Sequence, residues 1–197
     1  MSKTVEFFFD VGSPASYLAW TQLPALCSAA GAALVYRPML LGGVFQATGN
    51  SSPVTVPAKG AHMLIDLQRC AQHFGVPLKH NPHFPINTLT LMRAVAGVQL
   101  RMPQRFSGLL GAVFTAIWVN ERNLNDPVVA GQVLAEAGFD AAQIAALVGD
   151  ADVKAALRAT TEEAVARGVF GAPTLFVGSE MFFGQDRLDF VREALAR

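Results

Sequence analysis

The stretch VEFFFDVGSPASYLAW, residues 5–20, decides the fold. Val5–Asp10 is aromatic and β-branched and stops at Gly12, which predicts a short strand. Ser13-Pro14 follows. Serine is a favoured helix cap, and proline fits the first helical position, where its missing N–H costs nothing. The helix should run to about Ala30, before Gly31, with a kink or break at Pro24, which lacks a donor and crowds the preceding turn. Ala33–Arg37 reads as a second strand, so the chain opens strand–helix–strand.

The other end mirrors this beginning. In GAPTLFVGSEMFFGQDRLDFV, residues 171–191, Thr174–Val177 and Met181–Phe183 flank Gly178-Ser179-Glu180, a hairpin signal. Asp186 should open a last amphipathic helix that turns Leu188, Val191 and Leu195 inward. Between the ends the pattern is helical: Gly60–Phe74, Thr88–Leu100, Gln104–Val119, Pro127–Ala137, Ala141–Val148 and Asp152–Arg167. Met63, Leu67, Cys70 and Phe74 form the apolar stripe of the first of these. Joining βαβ to ββα gives an α/β fold: one mixed sheet with helices on both faces, interrupted by a large all-helical insertion. The expected units are 1–40 with 169–197, helix 152–168 packing on them, and the insertion 41–151.

Composition narrows the function. Apolar residues make up 52% of the 197, and charged residues only 15%. Fifteen basic residues balance fifteen acidic ones, so no basic excess points to nucleic acid or an anionic membrane. Sparse surface charge favours hiding apolar surface in an oligomer, and a homodimer is the expectation. The start MSKTVEFFFD is too short and too acidic for a secretory leader. The longest apolar run, Leu109–Val119, falls short of the roughly 20 residues that cross a bilayer. Cys27 and Cys70 form no CxxC and fall on apolar helix faces, as packing residues would. The expected location is the cytoplasm.

Three places could carry chemistry. Ser13 either caps its helix and does nothing more, or it joins the free N–H groups of the helix start in holding an anion. The G-x-S-x-G elbow of a serine hydrolase is absent around it. Ala172-Pro173, directly ahead of a strand, fits either an ordinary trans loop or a cis turn that exposes the Ala172 backbone to an extended ligand. Gly184-Gln185-Asp186-Arg187 is either a helix cap completed by Asp189 or a pocket for a free amino-acid end. Asn50, Asn81 and Lys59 are the polar candidates for a substrate wall, although both asparagines sit in ordinary turn sequences. His62, Asp66, Arg69 and His73 read as a solvated helix face. His80 and His83 lack a third partner, and no metal is expected.

The pieces FFFDVGSPASYLAW, RPMLLGGVFQATGN, NPHFPINTL (Asn81–Leu89) and GVFGAPTLFVGSEMFFGQDRLDFV together resemble the 2-hydroxychromene-2-carboxylate isomerase family. That family is similar to kappa-class glutathione transferases and to the DsbA-like branch of the thioredoxin fold. The resemblance implies a thioredoxin-like α/β fold with glutathione bound across its two ends. It places Ser13 where a redox cysteine stands in DsbA-like relatives, so the thiol must come from glutathione. It further implies that Ala172, before Pro173, pairs with the cysteinyl unit and that Gln185, Asp186 and Arg187 hold the γ-glutamyl end. The implied reaction converts 2-hydroxychromene-2-carboxylate to trans-o-hydroxybenzylidenepyruvate during aromatic hydrocarbon breakdown. The alternatives are a kappa-type transferase or peroxidase, and a non-catalytic glutathione- or peptide-binding module. Gln46 stands where the family often has lysine, which bears on the substrate if that position touches it.

Overall fold

The computed structural model describes residues 3–197; Met1 and Ser2, where the first expected unit begins, lie outside the described residues. Strand β1, Thr4–Phe9, is central: β2, Ala33–Pro38, pairs with it in parallel, and β3, Thr174–Val177, pairs antiparallel on its other side. The edge strand β4, Glu180–Phe183, completes the order β2-β1-β3-β4. A thioredoxin-like mixed sheet with a block of helices between β2 and β3 is thus what the chain builds.

The aromatic run of β1 is explained by burial on both faces. Successive side chains of a strand point to opposite sides. Phe7 and Phe9, stacked at 4.9 Å, enter the main core, while Phe8 enters a smaller cluster with Met39, Val44, Ala164, Val169 and Phe176. A strand covered on both faces can be apolar at every position instead of alternating.

Helix α1, Pro14–Ala29, is uninterrupted, so the expected break at Pro24 does not occur. Tertiary burial of Tyr17, Leu18, Leu23 and Leu26 outweighs the one lost backbone bond. After β2 comes α2, Leu41–Thr48, a helix that the sequence pattern did not reveal. Helix α3, Pro57–Phe74, begins three residues earlier than expected, with Pro57 in the first turn. The chain continues through α4 (Leu89–Arg101), α5 (Phe106–Trp118), α6 (Pro127–Glu136), α7 (Ala141–Gly149) and α8 (Ala151–Ala166). Asp126, Asp140 and Asp150 each cap the helix that follows by accepting backbone N–H bonds. After the hairpin, a short 3-10 turn at Gln185–Arg187 leads into α9, Leu188–Ala196, so Asp186 stands in that turn and does not itself open the last helix. No helix among the described residues is long and apolar enough to cross a membrane. The peptide bonds before Pro85 and Pro173 are cis.

Candidate active site

The site forms where β1 ends. Asp10 is 1% exposed and has no cationic partner among the described residues. Its Oδ1 accepts the N–H of Gly12 at 2.9 Å, and its Oδ2 accepts the N–H of Leu41 at 2.9 Å and the hydroxyl of Thr88 at 3.0 Å. One carboxyl group therefore fixes the turn before Ser13, the first residue of α2 and the residue preceding α4. Burial raises its pKa above the ordinary aspartate value, against the opposing effect of those three bonds. Gly12 is obligatory for space, because a Cβ there would lie 2.7 Å from Cγ2 of Thr88.

Ser13 performs the capping expected of it: its Oγ accepts the N–H of Ser16 at 3.1 Å. The same hydroxyl donates to the carbonyl oxygen of Ala172 at 3.0 Å. The two ends of the chain, which the sequence presents as separate motifs, thus meet at one hydroxyl. The N–H of Ala172 finds no hydrogen-bond partner among the described residues. The Pro173 carbonyl accepts the N–H of Gly184 at 3.0 Å, which binds the cis turn to the start of the 185–187 segment. Gly184 has φ 105°, and an added Cβ would fall 2.4 Å from Oδ1 of Asp186, so only glycine serves there.

Ser13 and Ala172 lie in the wall of a cleft of about 710 Å³, bounded by α2 through Leu41 and Phe45, by α3, and by Phe170 and Phe183. The rings of Phe170 and Phe183 pack at 4.6 Å between centroids. Asn50 is in this wall, with Nδ2 donating to the Phe170 carbonyl at 2.8 Å and Oδ1 accepting the Ser51 N–H. Lys59 is also there, with no ion pair or hydrogen bond from its ammonium among the described residues. Gln185 is 8% exposed and borders both this cleft and a neighbouring one of about 650 Å³, with Nε2 donating to Sγ of Cys70 at 3.4 Å.

Other expected positions fall elsewhere. Asn81 does not reach the cleft. It is wholly buried, with Nδ2 donating to the carbonyls of Ile117 and Arg122 and Oδ1 accepting the N–H of His83. Its amide is spent on holding backbone, which corrects its placement in a substrate wall. Asp186 borders the neighbouring cavity and pairs with Arg187 at 2.5 Å; neither residue lines the Ser13 cleft. Gln46 faces away from Ser13, on the far side of α2. The polar side of α3 is solvated as expected, with His62, Arg69 and His73 exposed and Asp66 half-exposed; His62 and Asp66 border the Ser13 cleft, and Arg69 and His73 border its neighbour. Cys27 is buried as expected, but Cys70 is half-buried beside Gln185.

Asp10, Leu41, Phe45 and the Phe170–Phe183 pair were missed. An aspartate ending an apolar strand just before Gly-Ser-Pro was the available signal for Asp10.

A family model for the DSBA-like thioredoxin domain matches residues 4–196. The chain belongs to the DsbA-like thioredoxin family. Within it, the chain is 32% identical over 200 residues to 2-hydroxychromene-2-carboxylate isomerase of Sphingobium xenophagum, covering 99% of both chains. It is 28% identical to human glutathione S-transferase kappa 1, covering 99% of this chain and 92% of that one. A solved 2-hydroxychromene-2-carboxylate isomerase superimposes with a TM-score of 0.85 at 28% identity, covering 98% of this chain and 95% of the other. These relatives are isomerases and a glutathione transferase, in agreement with the resemblance carried by the two end motifs.

Proposed function

We propose that this chain is a glutathione-dependent isomerase of 2-hydroxychromene-2-carboxylate, with Ser13 as the residue that holds the glutathione sulfur. The observation that carries the reading is the Ser13 hydroxyl itself. It stands at the start of α1, open to a large apolar cleft, and bonds to the backbone beside a cis-proline.

Glutathione fits these residues. The unpartnered Ala172 N–H and the Ala172 carbonyl are a complementary pair for a peptide unit such as the cysteinyl residue. When a ligand N–H takes over the Ala172 carbonyl, the Ser13 hydroxyl is released to donate elsewhere. Gln185, Asp186 and Arg187, joined to the cis turn through Gly184, would hold the γ-glutamyl end. When bound, glutathione supplies a thiolate that adds to the chromene and leaves after bond rotation, so no thiol is consumed.

The task of Ser13 has a definite size. A free thiol with pKa near 8.5 is only about 3% thiolate at pH 7. Lowering that value by about two units makes most of it nucleophilic and takes about 2.7 kcal/mol. A hydroxyl bond to an anion together with a helix N-terminus is of that order. Phe45, Phe170 and Phe183 would give the aromatic substrate an apolar wall, and Lys59, in the same lining, would meet its carboxylate.

The kappa relative, nearly as similar as the isomerase, supports a second reading: transfer of glutathione to another electrophile. One assay separates the two. Purified protein is mixed with 2-hydroxychromene-2-carboxylate with and without glutathione, and absorbance and free thiol are followed together. Conversion only with glutathione and with thiol conserved is the expected result. Stable loss of thiol favours the transferase, and binding without any turnover favours a non-catalytic module.

A further inference from the structure

Four of the fifteen lysines and arginines, Lys59, Arg93, Lys154 and Arg158, make neither an ion pair nor a side-chain hydrogen bond among the described residues. They are not scattered. Lys59 borders the Ser13 cleft, and the other three border one separate groove of about 680 Å³ between α2, α4 and α8. Helix α2 is the partition, with Leu41 and Phe45 toward Ser13 and Gly43 and Gln46 toward the groove.

The groove has two chemically distinct parts. Lys154 and Arg158 are one turn apart on α8, and Arg93 is a half-buried residue of α4. Glu162 is the one acid in the lining, which leaves a surplus of two positive charges. Leu40, Leu89, Leu157 and Val165 supply an apolar wall beside them. The wall is held shut at its base, where the Leu40 N–H donates to the Thr161 hydroxyl at 3.0 Å. Cations left without partners beside an apolar concavity complement an anion that carries an apolar body. Guanidinium groups suit a planar carboxylate best, because they can meet both of its oxygens.

We propose that the α2–α4–α8 groove is a second ligand site, separate from the Ser13 cleft, that binds a small organic carboxylate with an apolar body. Arg93 and Arg158 hold the carboxylate, Lys154 supports them, and the leucine wall takes the body. The proposal does not depend on the glutathione reading, because none of these residues borders the Ser13 cleft.

The test is titration of the isotope-labelled protein by amide-resolved NMR with three probes: benzoate, benzyl alcohol and inorganic phosphate. Benzoate should move the Gly43, Gln46 and Thr161 amides in a saturable way, and more tightly than either other probe. The double variant R93Q/R158Q should bind benzoate at least about ten-fold more weakly, as loss of charge-assisted bonds requires. K154Q, at an exposed position, should also weaken it and serves if the double variant does not fold. Phosphate binding as tightly as benzoate would reduce the groove to a patch of positive charge and overturn the proposal. So would shifts confined to Gly12, Ser13 and Ala172, absence of saturation, or unchanged affinity in the variants.

Discussion

The Ser13 hydroxyl donates to the Ala172 carbonyl at 3.0 Å across 159 positions of sequence, joining the helix start at one end of the chain to the cis-proline turn at the other. Ser13→Ala removes that donor and the cap of α1 together. The cap loss should lower stability by about 1 kcal/mol. With the proposed function, activity at pH 7 should fall about 10- to 100-fold, the worth of one hydrogen bond to a charged atom. The deficit should shrink as pH rises past the ordinary thiol range, because glutathione then ionises without help. A pH–rate profile of both proteins measures this, and a constant deficit at every pH would leave Ser13 with a structural role only.

The two cysteines should behave differently. Burial pushes the Cys27 thiol up to about 11, so at pH 8 only about 0.1% of it is thiolate. Cys70 is half-buried on a cavity wall. Native protein should therefore react with one equivalent of a disulfide reagent such as dithionitrobenzoate, and Cys70→Ser with none. Because Cys70 accepts from Gln185, protein alkylated at Cys70 with iodoacetamide, a block that thiols do not reverse, should with the proposed function also show a raised KM for glutathione.

Two glycines beside the site should respond differently to alanine. At Gly12 the new Cβ meets buried Thr88 at 2.7 Å, and Thr88 is held by Asp10, so the loop must shift. Gly12→Ala should cost about 1–3 kcal/mol and most of the activity. At Gly171 the new Cβ meets the Phe183 ring at 2.8 Å, but that ring is 42% exposed and can swing outward. Gly171→Ala should leave the melting temperature nearly unchanged and, with the proposed function, raise KM for the aromatic substrate. Melting curves and steady-state kinetics of the pair distinguish the two effects.

The parts of the fold that the sequence disclosed are those whose causes are local. Phe7, Phe8 and Phe9 mark a strand by themselves, and Ser13-Pro14 marks a helix start. Helix α2 was hidden because its cause is distant: it has no side-chain cap and two early glycines, and its first N–H is satisfied by Asp10, 31 positions away. The same holds for the site. Ser13, Ala172 and Gln185 sit in recognisable motifs, while Phe45 became part of the wall only through the placement of α2. Asn81 was misread because an asparagine beside a proline looks the same whether its amide faces a ligand or three backbone groups.

Asn81→Ala should therefore act on stability and not on substrate binding. It leaves the buried Ile117 carbonyl and the half-buried Arg122 carbonyl and His83 N–H without this partner. The expected loss is about 2–4 kcal/mol in denaturant unfolding. KM values measured well below the melting temperature should match the parent protein. A raised KM with unchanged stability would instead return Asn81 to the substrate wall.

Asp10 gives the fold its own pH dependence. Burial raises its folded pKa above the ordinary aspartate value, so between the two the native state holds a proton that the unfolded chain has released. Stability from this group is then complete at low pH and is lost as pH rises through the folded pKa. Asp10→Asn has no titration and carries a fixed penalty, because its amide NH₂ must face a donor: Gly12 N–H on one side, or Leu41 N–H and the Thr88 hydroxyl on the other. Of those three partners only Thr88 can turn to accept, which makes it the group that receives the proton bond when Asp10 is neutral. The difference in unfolding free energy, parent minus Asp10→Asn, should fall as pH increases from about 4 and level off once the folded pKa is passed. Urea unfolding of both proteins across that range measures it. A difference that instead grows with pH would mean that the three donors outweigh burial and hold Asp10 ionised.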